Sequence, residues 1–263
     1  MTNLQIAMVQ MEVVSGNIQA NRERGIRMAE EAADKARTVV LPEIWTTGYG
    51  LKNVEQWAED PEGPVIQEMR RIAKTKGVYI VAGSMPVKRD DRIFNETIVF
   101  DPQGQIVTTY QKVHMFSLYG EEKFFSPGNR RASFQLGEIT AGLTICYDLR
   151  FPELYRSLAL DGAQMIFVVA EWPRERLQHW ITLNQARAIE NQVYLCSVNC
   201  VGEHRGIRFP GHSLFIDPNG RITTEGTDAE SIIYAQYDAS MVPHSREGLT
   251  VWQDRKCGVY RME

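Results

Sequence analysis

The chain has 263 residues, 43% of them hydrophobic and 24% charged, with a formal net charge of -4. That length suits one large α/β domain with a sizeable core, and the mildly acidic balance argues against nucleic acid as a partner, because phosphate binding needs a basic face. No apolar run is long enough to span a bilayer, and the opening MTNLQIAMVQMEVVSG lacks the basic and apolar regions of a secretory leader, so a cytoplasmic protein without a membrane partner is expected.

Strand-like and helix-like patterns alternate along the chain. Residues 4–11 (LQIAMVQM) read as an opening strand, and Asn17 to Lys35 as a helix with Ile18, Ile26, Ala29 and Ala33 in register. Residues 38–45 (TVVLPEIW) read as a short buried strand whose end Pro42 marks. Pro64 to Lys76 reads as a helix, with proline at the favoured first position and Gly77 as the stop. VYIVAGSMPV and FNETIVFD follow as strands. In the second half SFQLGEITAGLTIC leads up to Cys146, and FPELYRSLALDGA reads as the helix after it. QMIFVVAEW reads as an apolar strand, Arg174 to Gln192 as a helix, and VYLCSVNC and HSLFID as further strands. From Met241 to Glu263 neither period is evident, which predicts a C-terminal arm whose Trp252 and Tyr260 are free to dock on a second subunit.

Two segments echo each other. NETIVFDPQGQIVTTY and HSLFIDPNGRITTEG both read as strand, Asp-Pro-x-Gly turn, strand, with proline and glycine suited to a tight hairpin. The echo predicts two βα halves whose sheets pack together. With no flexible linker between them, the expected fold is a single α/β domain, a four-layer α-β-β-α sandwich of two face-to-face sheets with helices outside.

Three residues stand at strand ends. Glu43 directly follows a buried strand, so its carboxylate either reaches solvent or finds a partner in a cleft. Lys112 ends the strand of TTYQKVHMF and would, alone, read as surface. Cys146 closes a strand and precedes a helix in LTICYDLRFPE. A free thiol is usually a small buried side chain. At such a junction, however, the helix N-terminus favours thiolate and the unpaired N–H groups can hold an oxyanion. Cys196, Cys200 and Cys257 have no comparable setting. Cys196 and Cys200, four apart in an alternating strand, fall on one sheet face, and no further Cys/His pair completes a zinc site. None of the five histidines has a companion that marks it as the base for Cys146, so the residues alone leave a Cys-His pairing open.

Together, LPEIWTTGY, YQKVHMF and LTICYDLRFPE resemble, in order, the glutamate, lysine and cysteine motifs of the nitrilase superfamily, the carbon-nitrogen hydrolases. The resemblance continues through residues 170–173 (AEWP), ARAIENQVY and GHSLFIDPNG, and so implies one carbon-nitrogen hydrolase domain over residues 1–263, with an arm from about 241. It implies an amidase that works through a thioester, with Cys146 as nucleophile, Glu43 as base, and Lys112 and the backbone N–H of Tyr147 on the oxyanion. The family's second glutamate implies Glu121, seven residues before Gly128, with Glu122 as the alternative register.

CYDLRFPE, the EWP turn and ARAIENQ are most similar to the bacterial ω-amidases. That similarity implies a small carboxylated amide of the 2-oxoglutaramate or 2-oxosuccinamate type, no metal or organic cofactor, and a homodimer or higher homo-oligomer. Glu171 departs from the pattern, since related sequences often show Asn before Trp-Pro, and an extra carboxylate beside an anionic substrate is unhelpful. The substrate carboxylate needs a cation; Arg174 is the first candidate and Arg208 the second, with Trp172 beside the turn. Arg150, Arg187 and Glu190 read as architectural ion pairs. The resemblance leaves open an N-carbamoyl amino acid or deaminated glutathione amidase, a nitrilase, and a non-catalytic scaffold that keeps the fold.

Overall fold

Leu4–Gln10 forms β1, and its alternation divides two cores: Ile6 and Met8 join the apolar layer between the sheets, while Ala7 and Val9 face the helices on the other side. The structure, a computed structural model, describes residues 4–260. β1 lies with β2 (Thr38–Val40), β3 (Tyr79–Arg89), β4 (Arg92–Phe100), β5 (Ile106–Gln111) and β14 (Ser231–Tyr237) in a six-stranded sheet of order β14-β1-β2-β3-β4-β5. The second sheet is built from β6 (Ala132–Leu136), β7 (Ile139–Ile145), β8 (Met165–Ala170), β9 (Tyr194–Asn199), β12 (Leu214–Ile216) and β13 (Ile222–Glu225), in the order β13-β12-β9-β8-β7-β6. A separate hairpin pairs β10 (Val201–His204) with β11 (Ile207–Pro210).

The two sheets share one topology. In each, three parallel strands are followed by an antiparallel hairpin, and one antiparallel strand closes the other edge. The echoing segments are the equivalent hairpins β4–β5 and β12–β13. Their turns are held alike: Asp101 Oδ1 accepts from the N–H groups of Gln103 and Gln105, and Asp217 Oδ1 from those of Asn219 and Arg221. Gly104 and Gly220 take the positive φ, 77° and 82°, that such a turn demands.

Helices α1 (Ile18–Ala33), α2 (Val54–Trp57) and α3 (Pro64–Lys76) cover the first sheet. α4 (Pro152–Leu160) and α5 (Leu177–Asn191) cover the second, through Tyr155, Leu158, Trp180 and Ala188. The result is the expected four-layer sandwich. Three local expectations are corrected. The strand from Thr38 ends at Val40 rather than Trp45, because the chain turns out to hydrogen-bond a bulge in β3. Cys196 and Cys200 do not share a face: β9 ends at Asn199, and Cys200 packs into the other core. The C-terminal segment begins with a helix, α6 (Met241–Gly248), whose eight residues are too few to display a period. Beyond it Trp252 is half-buried on its own chain, beneath the guanidinium groups of Arg156 and Arg246, while Tyr260 is exposed.

Candidate active site

Each site residue is placed by a local backbone requirement. Gly83, at φ 63°, makes the bulge in β3, and a Cβ there would lie 2.1 Å from the Pro42 carbonyl oxygen. That close approach lets Ser84 donate its N–H to Pro42 and accept, through Oγ, the N–H of Ile44. Glu43 is thereby pinned between them and turned inward. Lys112 follows β5; its N–H donates to Asn95 and its carbonyl accepts from Gly128. A Cβ on Gly128 would meet the Gln111 carbonyl oxygen at 2.2 Å, which explains the glycine at that place. Glu121 opens a single turn of 3₁₀ helix, Glu121–Lys123, entered through Gly120 at φ 68°.

Cys146 sits just past β7 at φ 44°, a conformation that non-glycine residues seldom adopt. The buried Asp148 holds that turn. Its Oδ2 accepts from the Ile145 N–H (2.9 Å) and the Tyr110 hydroxyl (2.7 Å), and its Oδ1 from the His114 N–H (3.2 Å). The His114 ring, stacked on Phe151, places Nδ1 2.7 Å from the same Oδ1. Asp148, Tyr110 and His114 are not singled out by the sequence, although Asp148 lies within the cysteine motif and Tyr110 and His114 within the lysine motif.

The fold brings Glu43, Lys112 and Glu121 into one fully buried cluster. Lys112 Nζ lies 2.9 Å from Glu43 Oε1 and 2.8 Å from both carboxyl oxygens of Glu121. Glu43 also accepts from Asn95 Nδ2 and the Glu171 N–H, both at 2.9 Å. Glu121 also accepts from the Tyr49 hydroxyl and the Phe116 N–H, both at 2.9 Å. Glu122, by contrast, is exposed. Cys146 is buried, its Sγ 4.0 Å from the Glu171 carbonyl oxygen, at the base of a narrow cleft walled by Tyr49, Phe116, Arg150, Glu171, Trp172 and Arg176. A larger cavity of about 560 Å³ shares Tyr49 as a wall.

Arg174 and Arg208 are not in that cleft. Arg174 pairs with Asp228 at the surface, and Arg208, exposed on β11, lines a different polar cavity with it. Two other arginines take the cleft. The Arg150 guanidinium stacks over Trp172 at 4.9 Å and that of Arg176 over Phe116 at 5.8 Å; among the described residues neither forms an ion pair. Arg150 therefore departs from the architectural reading, whereas Arg187 fits it, donating twice to the Leu149 carbonyl and pairing with Glu190 at 3.0 Å.

The carbon-nitrogen hydrolase family profile matches residues 5–247. The chain belongs to the carbon-nitrogen hydrolase family. It is 37% identical to the 2-oxoglutaramate amidase of Bacillus subtilis (strain 168), over 97% of this chain and 98% of that one. It is 32% identical to the 2-oxoglutaramate amidase of Paenarthrobacter nicotinovorans, over 98% and 91% of the two chains. Among solved structures, a CN-hydrolase superfamily protein from Xanthomonas campestris with an arsenic adduct in its active site superposes with a TM-score of 0.92 at 27% identity, covering 100% of both chains.

The electrostatics of this hydrolase differ from a simple helix-terminus thiolate. Cys146 opens a 3₁₀ turn, Cys146–Arg150, and does not lead straight into the first turn of α4. Burial and then the Glu43 carboxylate push the thiol well above its ordinary range, against the pull of Lys112. The resting sulfur is accordingly a protonated thiol. For Lys112, burial pulls the ammonium down, but the carboxylates of Glu121 and Glu43 outweigh it and hold the group well above its ordinary range. An ammonium locked between two carboxylates is a fixed positive charge, suited to an oxygen that becomes negative during reaction. Among the described residues no group of three or more His, Cys, Asp or Glu is placed to hold a metal ion, and no helix is long and apolar enough to cross a membrane.

Proposed function

We propose that this carbon-nitrogen hydrolase is an amidase that converts a small carboxylated amide of the 2-oxoglutaramate type to its acid and ammonia, through a thioester on Cys146. The observation that carries the reading is the juxtaposition in one cleft of Cys146, within electrostatic reach of the buried Glu43–Lys112–Glu121 cluster, with two guanidinium groups that form no ion pair among the described residues. The 2-oxoglutaramate amidases to which the chain is similar support the substrate class.

The geometry supports the following steps. Glu43 takes the thiol proton as Sγ bonds to the amide carbon, which is needed because the thiol is not ionised at rest. The former carbonyl oxygen, now negative, is met by the Lys112 ammonium and the backbone N–H of Tyr147. Glu43 returns the proton to the departing nitrogen, the C–N bond breaks, and ammonia leaves a thioester. Water then attacks, giving a proton to Glu43; collapse releases the acid, and the proton returns to sulfur. Glu121 anchors Lys112 throughout. Arg150 and Arg176 hold the distal carboxylate, a place the sequence alone would give to Arg174 or Arg208. The same reading takes the protein to be cytoplasmic, without nucleic-acid or membrane partner and without cofactor, and a homodimer or higher homo-oligomer. Light scattering of the purified chain tests that last point.

The direct test is ammonia release from 2-oxoglutaramate, succinamate and an N-carbamoyl amino acid, with Cys146→Ala as the control. Release from the first two, abolished in the variant, with an acyl adduct on Cys146 by mass spectrometry, is expected. No ammonia from any carboxylated amide, with circular dichroism showing a folded protein, refutes the reading.

A further inference from the structure

Among the described residues, Glu171 is the one carboxyl group lining the cleft that nothing in the mechanism uses. β8 ends at Ala170, so Glu171 leaves the strand end directly beside the reacting groups. Its N–H donates to Glu43 Oε2 at 2.9 Å, and its carbonyl oxygen lies 4.0 Å from Cys146 Sγ. Glu171 lines the cleft and is 1% exposed, yet its Oε2 is buried without a hydrogen-bond partner among the described residues. The other buried carboxyl groups nearby are fully engaged: Glu43, Glu121 and Asp148 each accept from at least three donors. Lys112, the nearby ammonium, is committed to Glu43 and Glu121. A buried polar atom left unmatched destabilises the resting protein. At the wall of the cleft, a substrate donor is able to satisfy it.

We propose that Glu171 is a specificity-determining residue whose side-chain carboxyl, as an uncharged acid, accepts a hydrogen bond from the N–H₂ of the scissile amide. The proposal rests on the amidase reading for the identity of that donor. A primary amide brings one acceptor and two donors. Lys112 and the Tyr147 N–H are donors and take the oxygen, so the N–H₂ needs acceptors, and the wall formed by Glu171 supplies one. The uncharged state comes from the surroundings: burial, then the Glu43 and Glu121 carboxylates, hold this carboxyl well above its ordinary range, opposed by Lys112. An uncharged acid also resolves the objection raised by the sequence, since it presents no negative charge to a substrate that carries one. Amides are thereby favoured over esters, which have no N–H to offer.

The test measures binding without turnover, so that it does not depend on activity. In a Cys146→Ala background, succinamate and monomethyl succinate are titrated by calorimetry against Glu171, Glu171→Gln and Glu171→Leu. Leucine removes the acceptor, and glutamine keeps one. Loss of a neutral hydrogen bond predicts that Glu171→Leu weakens succinamate about 5- to 10-fold, that Glu171→Gln weakens it by about 3-fold or less, and that the ester is changed equally little by both. Equal weakening of succinamate by Gln and Leu overturns the uncharged acceptor, because it means the anion is what binds. Equal weakening of amide and ester by Leu, or no measurable succinamate binding, overturns the amide contact. Failure of the wild type to release ammonia, with the binding pattern intact, removes the proposed reaction and leaves the Glu171 assignment standing.

Discussion

Glu121→Gln replaces one oxygen of the buried cluster by a nitrogen and leaves the shape unchanged. Lys112 Nζ is 2.8 Å from each carboxyl oxygen of Glu121, so either orientation of the new amide sets an N–H₂ against an ammonium. Turned one way, that N–H₂ also faces the Phe116 N–H; turned the other, it faces the Tyr49 hydroxyl, which is able to rotate and accept. The second orientation is therefore the one adopted, with Lys112 losing half of its anionic partners. Breaking a buried ion pair by removing one partner costs about 3–5 kcal/mol. At about 2–4 °C per kcal/mol for a domain of this size, Tm falls by about 6–20 °C. Lys112, no longer held from both sides, moves off the oxyanion position, and loss of one such donor lowers kcat by about 10²–10³. Thermal unfolding by circular dichroism and ammonia release from 2-oxoglutaramate measure the two effects. A Tm within about 2 °C of the wild type, with kcat within about threefold, would refute an ionised, mutually anchored cluster.

Arg176→Met removes a half-exposed cation from the cleft, and a charged hydrogen bond in partial solvent predicts a KM about 10-fold higher for 2-oxoglutaramate; for butyramide, which has no carboxylate, KM stays within about twofold, and an equal rise for both would mean that Arg176 only shapes the cleft. Gly83→Ala puts a Cβ 2.1 Å from the Pro42 carbonyl oxygen at a φ of 63°, so the Glu43 segment must shift; a loss of about 2–4 kcal/mol in urea unfolding, together with most of the activity, is expected, and a fully active variant would show that the bulge does not position Glu43. Glu171 also sets a pH dependence of stability. Its folded pKa is raised above the ordinary 4.5, so the stability of the neutral buried acid is fully present below 4.5 and is lost as pH rises from there through the folded pKa. The stability of Glu171→Gln therefore gains on that of the wild type as pH rises above about 4.5, by up to about 1.4 kcal/mol per pH unit, which urea unfolding at each pH measures. A constant difference between pH 4 and 8 would mean that Glu171 is ionised in the folded protein.

The sequence by itself determined the alternation of strands and helices, the paired Asp-Pro-x-Gly hairpins and the three chemical motifs. These are local: a strand's period of two, a turn's need for proline and glycine, and short segments such as LTICYDLRFPE are all written in neighbouring residues. The duplicated topology was also legible, because the two hairpins repeat one pattern of turn residues. Tertiary structure decided what surrounds each group. Glu43 is distant along the chain from Lys112 and Glu121, themselves nine residues apart, and the three meet only because the segment after β2, the end of β5 and the turn at Glu121 converge; their mutual burial is a property of that convergence. The state of the Cys146 thiol was decided in the same way. A strand–helix junction in the sequence favours thiolate, whereas burial beside the Glu43 carboxylate holds it protonated, since desolvation depends on everything packed around an atom. The arginines show the limit most plainly. Arg174 comes after the EWP turn but is claimed by Asp228, distant in sequence, and the cleft falls to Arg150 and Arg176, because the pairing of a charge is settled by which partners the fold brings within reach.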